Sequence, residues 1–467
     1  MNKSHSVLFT LLITVFIMAG CDQKYVDDIS IAPVPGASGG GNFSPGYYVS
    51  ETTGSDANSG LSPVNALKTI AAAYNKVVAG DTVFIMNGNY SNGGNVLLTI
   101  TKSGTADKYI TFKAYPTHTP KIFISGNVYN GITINGNYII IDGLDMQGDN
   151  ANITLAAATT SYNNALNGIA NPNQGMYNTN AITIGGPRTE SRLPHHITIR
   201  NCKIHDFPGG GLNAIQSDYT IFENNIVYNN AWYMMYGGSG ISILNPVNTD
   251  AGDIAKYKNI IRNNIVYGNK TQVPWIGITP PRLSDGNGII VDVNQYPYDQ
   301  PTQTANAYKG RTLVENNVSF NNGGSGIHAY KADHVDIINN TAYGNGVIMN
   351  YADIFAGSAT DVKILNNIMY SKAGGRCNSA PASGTNVVYD YNIYFNGTVA
   401  VQGPHDKIAN PGFVNPSIDG AVANFALSSS ASPAANAGTQ AIFSAKDILG
   451  VTRPKGGAVD CGAYESY

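Results

Sequence analysis

Between residues 275 and 331, this 467-residue chain gathers ten side chains whose types could do chemistry: Trp275, Arg282, Asp285, Asp292, Tyr298, Lys309, Arg311, His328, Tyr330 and Lys331. Asp285 and Asp292 lie in Ser284-Asp285-Gly286-Asn287-Gly288-Ile289-Ile290-Val291-Asp292-Val293-Asn294, where carboxylates and amides are spaced to suit a hard cation such as Ca²⁺. The Asp-Gly pair also reads as a plain turn. His328 has the side chain best suited to take a proton near neutrality, with an unperturbed pKa of about 6.5. Tyr330, two residues on, could donate a proton, and Lys331 is a reserve base if burial or neighbouring cations lower its pKa. Arg282, Lys309, Arg311 and Lys331 are four cations in a chain only 12% charged, which suggests an anionic ligand such as a uronate carboxylate or a sulfate. Each alone also reads as ordinary surface. Trp275 and Tyr298, with Trp232, Tyr233, Tyr236, Tyr296 and Tyr308, offer flat rings for sugar faces or for packing loops onto the body of the protein.

These residues need a frame. With 43% hydrophobic residues the chain can build a core, and 27 Lys+Arg against 30 Asp+Glu leaves no basic excess for nucleic acid. The 52 glycines and 29 tyrosines indicate a turn-rich, all-β chain. A unit of Gly-x-Gly-Ile, short strand, turn, second strand and Asn-Asn recurs. Its Asn pairs are Asn224/Asn225, Asn263/Asn264, Asn316/Asn317, Asn339/Asn340 and Asn366/Asn367, with Asn201/Cys202 one step earlier, at spacings of 23, 39, 53, 23 and 27 residues. Each unit is too short to bury its own apolar face, so the units must stack as a solenoid of parallel rungs. Stacked Asn side chains can then bond to one another along one turn.

Alignment on Gly-Ile puts Leu212, Ile241, Ile289, Ile327 and Ile354 inside. It puts Asn213, Ser242, Ile290, His328 and Phe355 outside, followed two residues later by Ile215, Leu244, Asp292, Tyr330 and Gly357. Asp292, His328 and Tyr330 are the polar members of two adjacent rungs. Insertions at about 245–258, 269–285 and 294–310 fall beside them, as expected for loops that build a binding site on one face. His195, His196, His205 and His334 sit near turns and read as structural.

Residues 1–20 read as a signal peptide: Lys3, an apolar run from Val7 to Met18, then Ala19 and Gly20 before Cys21. This resembles a bacterial lipoprotein signal, which implies lipid on Cys21 and attachment to the cell envelope, at the outer membrane or cell surface. Residues 21–46 have the composition of a flexible tether. Residues 47–467 are expected to form the solenoid domain, with about 400–467 as a terminal capping segment. Leu67, Ile70, Ala71 and Tyr74 fall at helical spacing and predict a cap over the open end. Cys202, Cys377 and Cys461 are too few and too widely spaced for a disulfide framework or a zinc pattern.

The repeat resembles the right-handed parallel β-helix of bacterial polysaccharide lyases, and the preference of parallel crossovers supports that hand. Segments around residues 48–60, 68–74 and 80–83 resemble the start of that family, and Ser432-Pro433, Asp447-Ile448-Leu449-Gly450 and Asp460-Cys461-Gly462-Ala463-Tyr464 its terminal segment. Asp285 to Asp292, followed by Gly324-Ser325-Gly326-Ile327-His328, looks like the site region of family 9 polysaccharide lyases, pectate-lyase-like enzymes with an acidic calcium cluster before a catalytic lysine. Here the acidic cluster is thinner, and His328 stands where the resemblance places the lysine.

The resemblance implies β-elimination on an acidic polysaccharide. Arg311, Arg282 or a Ca²⁺ at Asp285/Asp292 would neutralise the uronate carboxylate, His328 would act as base with Lys331 in reserve, and Tyr330 would protonate the leaving oxygen. Lys309, Trp275 and Tyr298 join Arg282 as binding residues. The partners expected are an acidic polysaccharide and a membrane through Cys21, with no nucleic acid and the chain a monomer. Two other readings stay open: a glycoside hydrolase using Asp285 and Asp292, and a noncatalytic glycan-binding surface protein.

Overall fold

The computed structural model describes residues 46–185, 193–296 and 307–467; Cys21 and Tyr298 lie outside them. Three parallel sheets of 11, 8 and 11 strands run the length of the coil, and each turn visits them in the same order. The turn Asn130–Ile134, Ile139–Asp142, Asp145–Gln147 shows the pattern: a strand in the eight-stranded sheet, one in the first eleven-stranded sheet, one in the other. Apolar residues alternate along each strand and converge on one continuous core reaching from Val49 to Tyr394.

The Asn pairs have two distinct jobs. The first of each pair takes the left-handed backbone that closes the corner between two sheets, with φ of 57° at Asn201, 58° at Asn224, 56° at Asn263 and 53° at Asn316. Asn tolerates this conformation better than most residues because its short amide can bond locally. The second is buried and stacks. Asn225 donates from both its backbone N–H and its Nδ2 to Asn264 Oδ1, each at 3.0 Å, and Asn264 does the same to Asn317 at 3.0 and 2.9 Å. The series continues through Asn340, Asn367 and Asn392 and ends on Asp406. A second ladder, unforeseen from the repeat, runs through Asn230, Asn269, Asn322 and Asn345 at the next corner and ends on Asp353.

Helix Ile70–Lys76 packs against the first coil, with Thr69 capping it by accepting from the Ala72 N–H at 3.1 Å. Ile70 and Ala73 are its buried residues and Leu67 is buried just before it, whereas Ala71, expected on the inner face, is exposed. An unexpected second helix, Leu155–Leu166, lies in an insertion and packs through Ala158 and Tyr162 onto Tyr233, Met235 and Val273. The terminal segment does more than cover an end. It runs back along the side of the coil, where Asp460 O accepts from Asn339 Nδ2 and Lys446 O from Asn316 Nδ2. Cys202, Cys377 and Cys461 are buried free thiols.

Asn317 accepts two bonds from Asn264 and donates to Ile261 O and Asn340 Oδ1. Replacing it by Leu strands several buried partners at once, each worth about 1–3 kcal/mol. Urea denaturation of Asn317→Leu should show a loss of about 3 kcal/mol or more; a loss under about 1 kcal/mol would show that the ladder is incidental to stability.

Candidate active site

The site lies on the outer face of the eight-stranded sheet. Strand Ile289–Asp292 pairs in parallel with Ile327–Tyr330, so that Ile290 opposes His328 and Asp292 opposes Tyr330. The neighbouring pairings carry the same columns through Leu212–Ile215, Ile241–Leu244 and Ile354–Gly357. Ile289, Val291, Ile327 and Ala329 are 1% exposed or less, which commits the intervening side chains to the outside. Tyr330 is 42% exposed. Lys331 ends the strand in a left-handed conformation, φ 48°, and its Nζ lies 5.5 Å from the centre of the Tyr330 ring, so consecutive residues reach the same face.

Asp285 enters from the turn before its strand. Its φ of 65° and the 63° of Gly286 make a tight reversal held by the Gly286 N–H donating to Gly238 O at 2.7 Å. A Cβ on Gly286 would fall 2.5 Å from the Thr271 backbone nitrogen, and one on Gly237 would fall 2.7 Å from Asp285 Oδ2. The chain can approach the carboxylate this closely only with glycine there. Burial, partly offset by a hydrogen bond from Ser284, pushes the Asp285 carboxyl up to about 6. Burial and then the charge of Asp285 push Asp292 up to about 7, against the opposing pull of Lys331. Both side chains keep some access to the surface. Asp292 Oδ1 is buried with no hydrogen-bond partner.

Two carboxylates raised by burial, one of them raised further by the other's charge and left with an orphaned oxygen, form an arrangement that a proton or a cation would relieve. Among the described residues no cluster of three or more His, Cys, Asp or Glu side chains is assembled. Asp285 and Asp292 would therefore supply two of the six to eight oxygens that calcium takes, leaving positions for backbone, water or a bound carboxylate.

His328 does not present an available base. It is 5% exposed, its ring stacks on Phe355 at 4.7 Å, and Nδ1 is bonded to the Ser325 hydroxyl. Burial lowers its pKa to about 3, so it is neutral and weakly basic at working pH. Its contacts lead to the acid pair: Ser325 bonds through N–H and Oγ to Asn287 Oδ1 at 3.0 and 3.2 Å, and Asn287 Nδ2 donates to Ser239 Oγ at 3.1 Å. Asn287 is two residues from Asp285, so this relay braces the acidic turn. Asn287 stood within the acidic motif, but nothing in its spacing marked it as a brace.

Arg311 is also misplaced by the sequence reading. It belongs to the first eleven-stranded sheet, where it bonds Asp336 at 2.9 Å, Asp361, and Ile254 O at 2.9 Å. It continues an outer column at the corner of that sheet in which Tyr138 stacks on His196 at 4.8 Å, His196 on Tyr219 at 4.2 Å, and Lys258 sits 4.5 Å over Tyr219. With two carboxylates holding its guanidinium, Arg311 is structural. His205 bonds Asp145 and Asp206, and His334 bonds Asp361, as structural histidines do.

The other cations and rings flank the site. Arg282 and Lys309 are exposed. Arg282 shares a loop with Trp275, whose N–H donates to Arg282 O at 3.1 Å, and that loop docks through the Ile276 N–H on Met235 O at 2.9 Å. Lys309 sits beyond Asn294 at the corner toward the first sheet, its N–H donating to Asn248 Oδ1 at 2.8 Å. The four cations thus do not gather in one groove; Lys331 is the one whose charge acts on Asp292. Tyr233 and Tyr308 spend their hydroxyls on Ile153 O and Asp218, and Trp232 its Nε1 on Gly268 O. Tyr236 stays exposed, as does Tyr129, which the sequence reading passed over although it precedes the same Gly-Ile signal at Gly131-Ile132.

The family model described as "Pel9A-like, right handed beta helix region" matches residues 47–361. The chain belongs to this family. Among curated relatives of this Pel9A-like chain, Pectate lyase L of Thermoclostridium stercorarium is 24% identical over 356 residues, covering 72% of this chain and 25% of that protein. Pectate lyase L of Paenibacillus polymyxa (strain SC2) is 24% identical over 298 residues, covering 59% and 63%. The chain thus spans about a quarter of one relative and under two thirds of the other. Among solved structures, pectate lyase Pel9A aligns at 16% identity and TM-score 0.49, covering 90% of this chain and 96% of that one.

The raised carboxyl of Asp292 has a consequence for stability. Between its ordinary value and about 7 the folded state binds more protons than the unfolded chain, so stability falls as pH rises through that window. Asp292→Asn removes this penalty. Thermal unfolding should show the variant more stable than the parent at pH 8, by roughly 1–2 kcal/mol after allowing for solvent access, and no gain near pH 4. An equal effect at both pH values would mean that Asp292 is not strained by its surroundings.

Proposed function

We propose that this chain is a polysaccharide lyase that cleaves an acidic, uronate-containing glycan by β-elimination on the outer face of the eight-stranded sheet. The observation that carries this reading is the strained pair Asp285/Asp292 facing Lys331 and Tyr330 across adjacent rungs. Elimination requires that the uronate carboxylate be neutralised, that the proton on the adjoining carbon be removed, and that the leaving oxygen be protonated. A calcium ion held by Asp285 and Asp292 would supply positive charge against the substrate carboxylate.

Lys331 is the base in this reading, in place of His328. Its Nζ takes the proton from C5, the C5–H electron pair becomes the C4=C5 double bond, and the C4–O bond breaks. The Tyr330 hydroxyl, on the same face, donates its proton to the departing oxygen. His328, Ser325 and Asn287 keep the acidic turn in place and take no proton in the reaction. Arg282 and Trp275, which share one loop, would act as binding residues, and Lys309 stands apart at the corner toward the first sheet. Lipid on Cys21 would hold the enzyme in the cell envelope, facing polymeric substrate.

The acid pair would also suit a glycoside hydrolase, which needs two carboxyl groups flanking the bond. The two chemistries part at the product. Incubation of the chain lacking residues 1–20 with uronate polymers should produce the ultraviolet absorbance of an unsaturated product together with new reducing ends. Reducing ends without that absorbance would establish hydrolysis instead. Lys331→Ala should lower kcat by about 10² or more, while His328→Gln should lower it less than tenfold at the permissive temperature. Activity should rise through pH 6–7 as Asp285 and Asp292 ionise. Full turnover by Lys331→Ala would remove that residue as the base.

A further inference from the structure

The outer face of the eight-stranded sheet is chemically divided. Among the described residues of its strands, the acidic and basic groups begin at Asp285, Asp292 and Lys331. In the preceding rungs the outward column is Thr133, Thr183, Asn213 and Ser242. The segments that build these rungs and their near loops, 126–135, 171–185, 207–217 and 231–245, contain no Asp, Glu, Lys, Arg or His. A polyuronate laid along the whole face would bring its carboxylates over segments that carry no cation of their own, with Arg282 entering only on the loop docked at Met235, and anionic sugars are held by charge-assisted bonds where they are held well.

What the stretch offers is suited to an uncharged sugar. Tyr129 and Tyr236 are exposed rings, 46% and 41%, in a protein that packs most of its aromatics. They are close enough for the Tyr129 hydroxyl to act on that of Tyr236, and Gln174 Nε2 also bonds the Tyr236 hydroxyl, which fixes that ring. Tyr236 directly precedes Gly237, against which the Asp285 carboxylate lies, so its backbone runs into the acidic turn. Asn213, 7% exposed, points outward with its Oδ1 accepting from Ser242 Oγ at 2.9 Å, while its Nδ2 has no partner. The amide lies against Gly210, where a Cβ would come within 2.6 Å of Oδ1. Gly210 in turn lies under Gly238, two residues past Tyr236, where a Cβ would come within 3.4 Å of the Gly210 nitrogen. An orphaned, nearly buried donor and the segment bearing an exposed ring thus share this stretch, a place for a hydroxyl of a sugar whose apolar face rests on the rings.

We propose that Tyr129, Tyr236 and Asn213 form a subsite for an uncharged sugar residue, so that the groove takes a glycan in which uronates adjoin neutral sugars rather than a homopolymer of uronate. This rests on the lyase reading for the charged half of the groove.

The test compares tetraglucuronate with a tetrasaccharide alternating glucuronate and glucose, and the corresponding pair in the galacto series, by stopped-flow tyrosine fluorescence before turnover. The alternating ligand of one series should bind about tenfold tighter than its all-uronate counterpart. Tyr236→Ala and Tyr129→Ala, both at exposed positions, should each weaken the alternating ligand about fivefold or more and leave the all-uronate ligand within about twofold. Equal or tighter binding of the all-uronate ligand, parallel weakening of both by the variants, or no binding of either in both series would overturn the subsite. Failure of the lyase reading looks different: the preference and its loss in the variants would persist while no unsaturated product forms from either ligand.

Discussion

Everything on the outer wall depends on the buried asparagine amides that join one turn of the coil to the next. From Asn264 to Asn392 each accepts two hydrogen bonds from the amide and backbone of the turn before, and the run opens at Asn225, which accepts from the Cys202 N–H and donates to the turn after. This pins each rung against its neighbour at a corner, and the strands that follow inherit the register. Because side chains alternate, a slip of one residue would bury Asp292 and Tyr330 and expose Val291 and Ala329. Two such ladders, at successive corners, make the slip costly. The 39- and 53-residue steps in the ladder show that insertions leave the coil undisturbed and are absorbed as loops.

A rigid scaffold of this kind can hold a strained group in place. The Asp285/Asp292 pair lowers stability near neutral pH, yet it persists because Gly237 and Gly286 admit the acidic turn and the Asn287, Ser325 and His328 relay fixes it. Functional groups supported by neighbours with locked side chains are better placed than groups on free loops. The strain in the pair is relieved by a cation or a proton, and Lys331 supplies part of that relief from the adjoining rung.

The fold was legible in the sequence because it is periodic. The Gly-Ile frame aligned Leu244, Asp292, Tyr330 and Gly357 as the pairing does, and the recurring Asn pairs pointed to a stacked corner. The site was legible only in part. Periodicity tells which side of a strand a residue occupies, not what covers it, so His328 read as an open base when it is packed against Phe355. Arg311 read as a groove cation because it lies near in sequence, but it opens the next sheet, and its partners Asp336 and Asp361 come from later turns. Helix Leu155–Leu166 fell in an insertion that breaks the period, whereas the second Asn ladder keeps the spacing of the first five residues on and was unmarked because Asn269 and Asn345 follow glycine rather than a second Asn. Tyr129 and Tyr236 were missed as a pair because their closeness is a product of stacking.

The central claim is that coiling buries Asp285 and Asp292 together, so that both carboxyls are raised and the charge of Asp285 adds to the rise at Asp292. Carbon-13 NMR of the two side-chain carboxyls against pH measures this directly. The account predicts that both titrate well above the ordinary carboxylate range, near 6 and 7, and that Asp285→Asn moves the Asp292 midpoint down. Two independent titrations near 4, with Asp292 indifferent to the loss of Asp285, would contradict it.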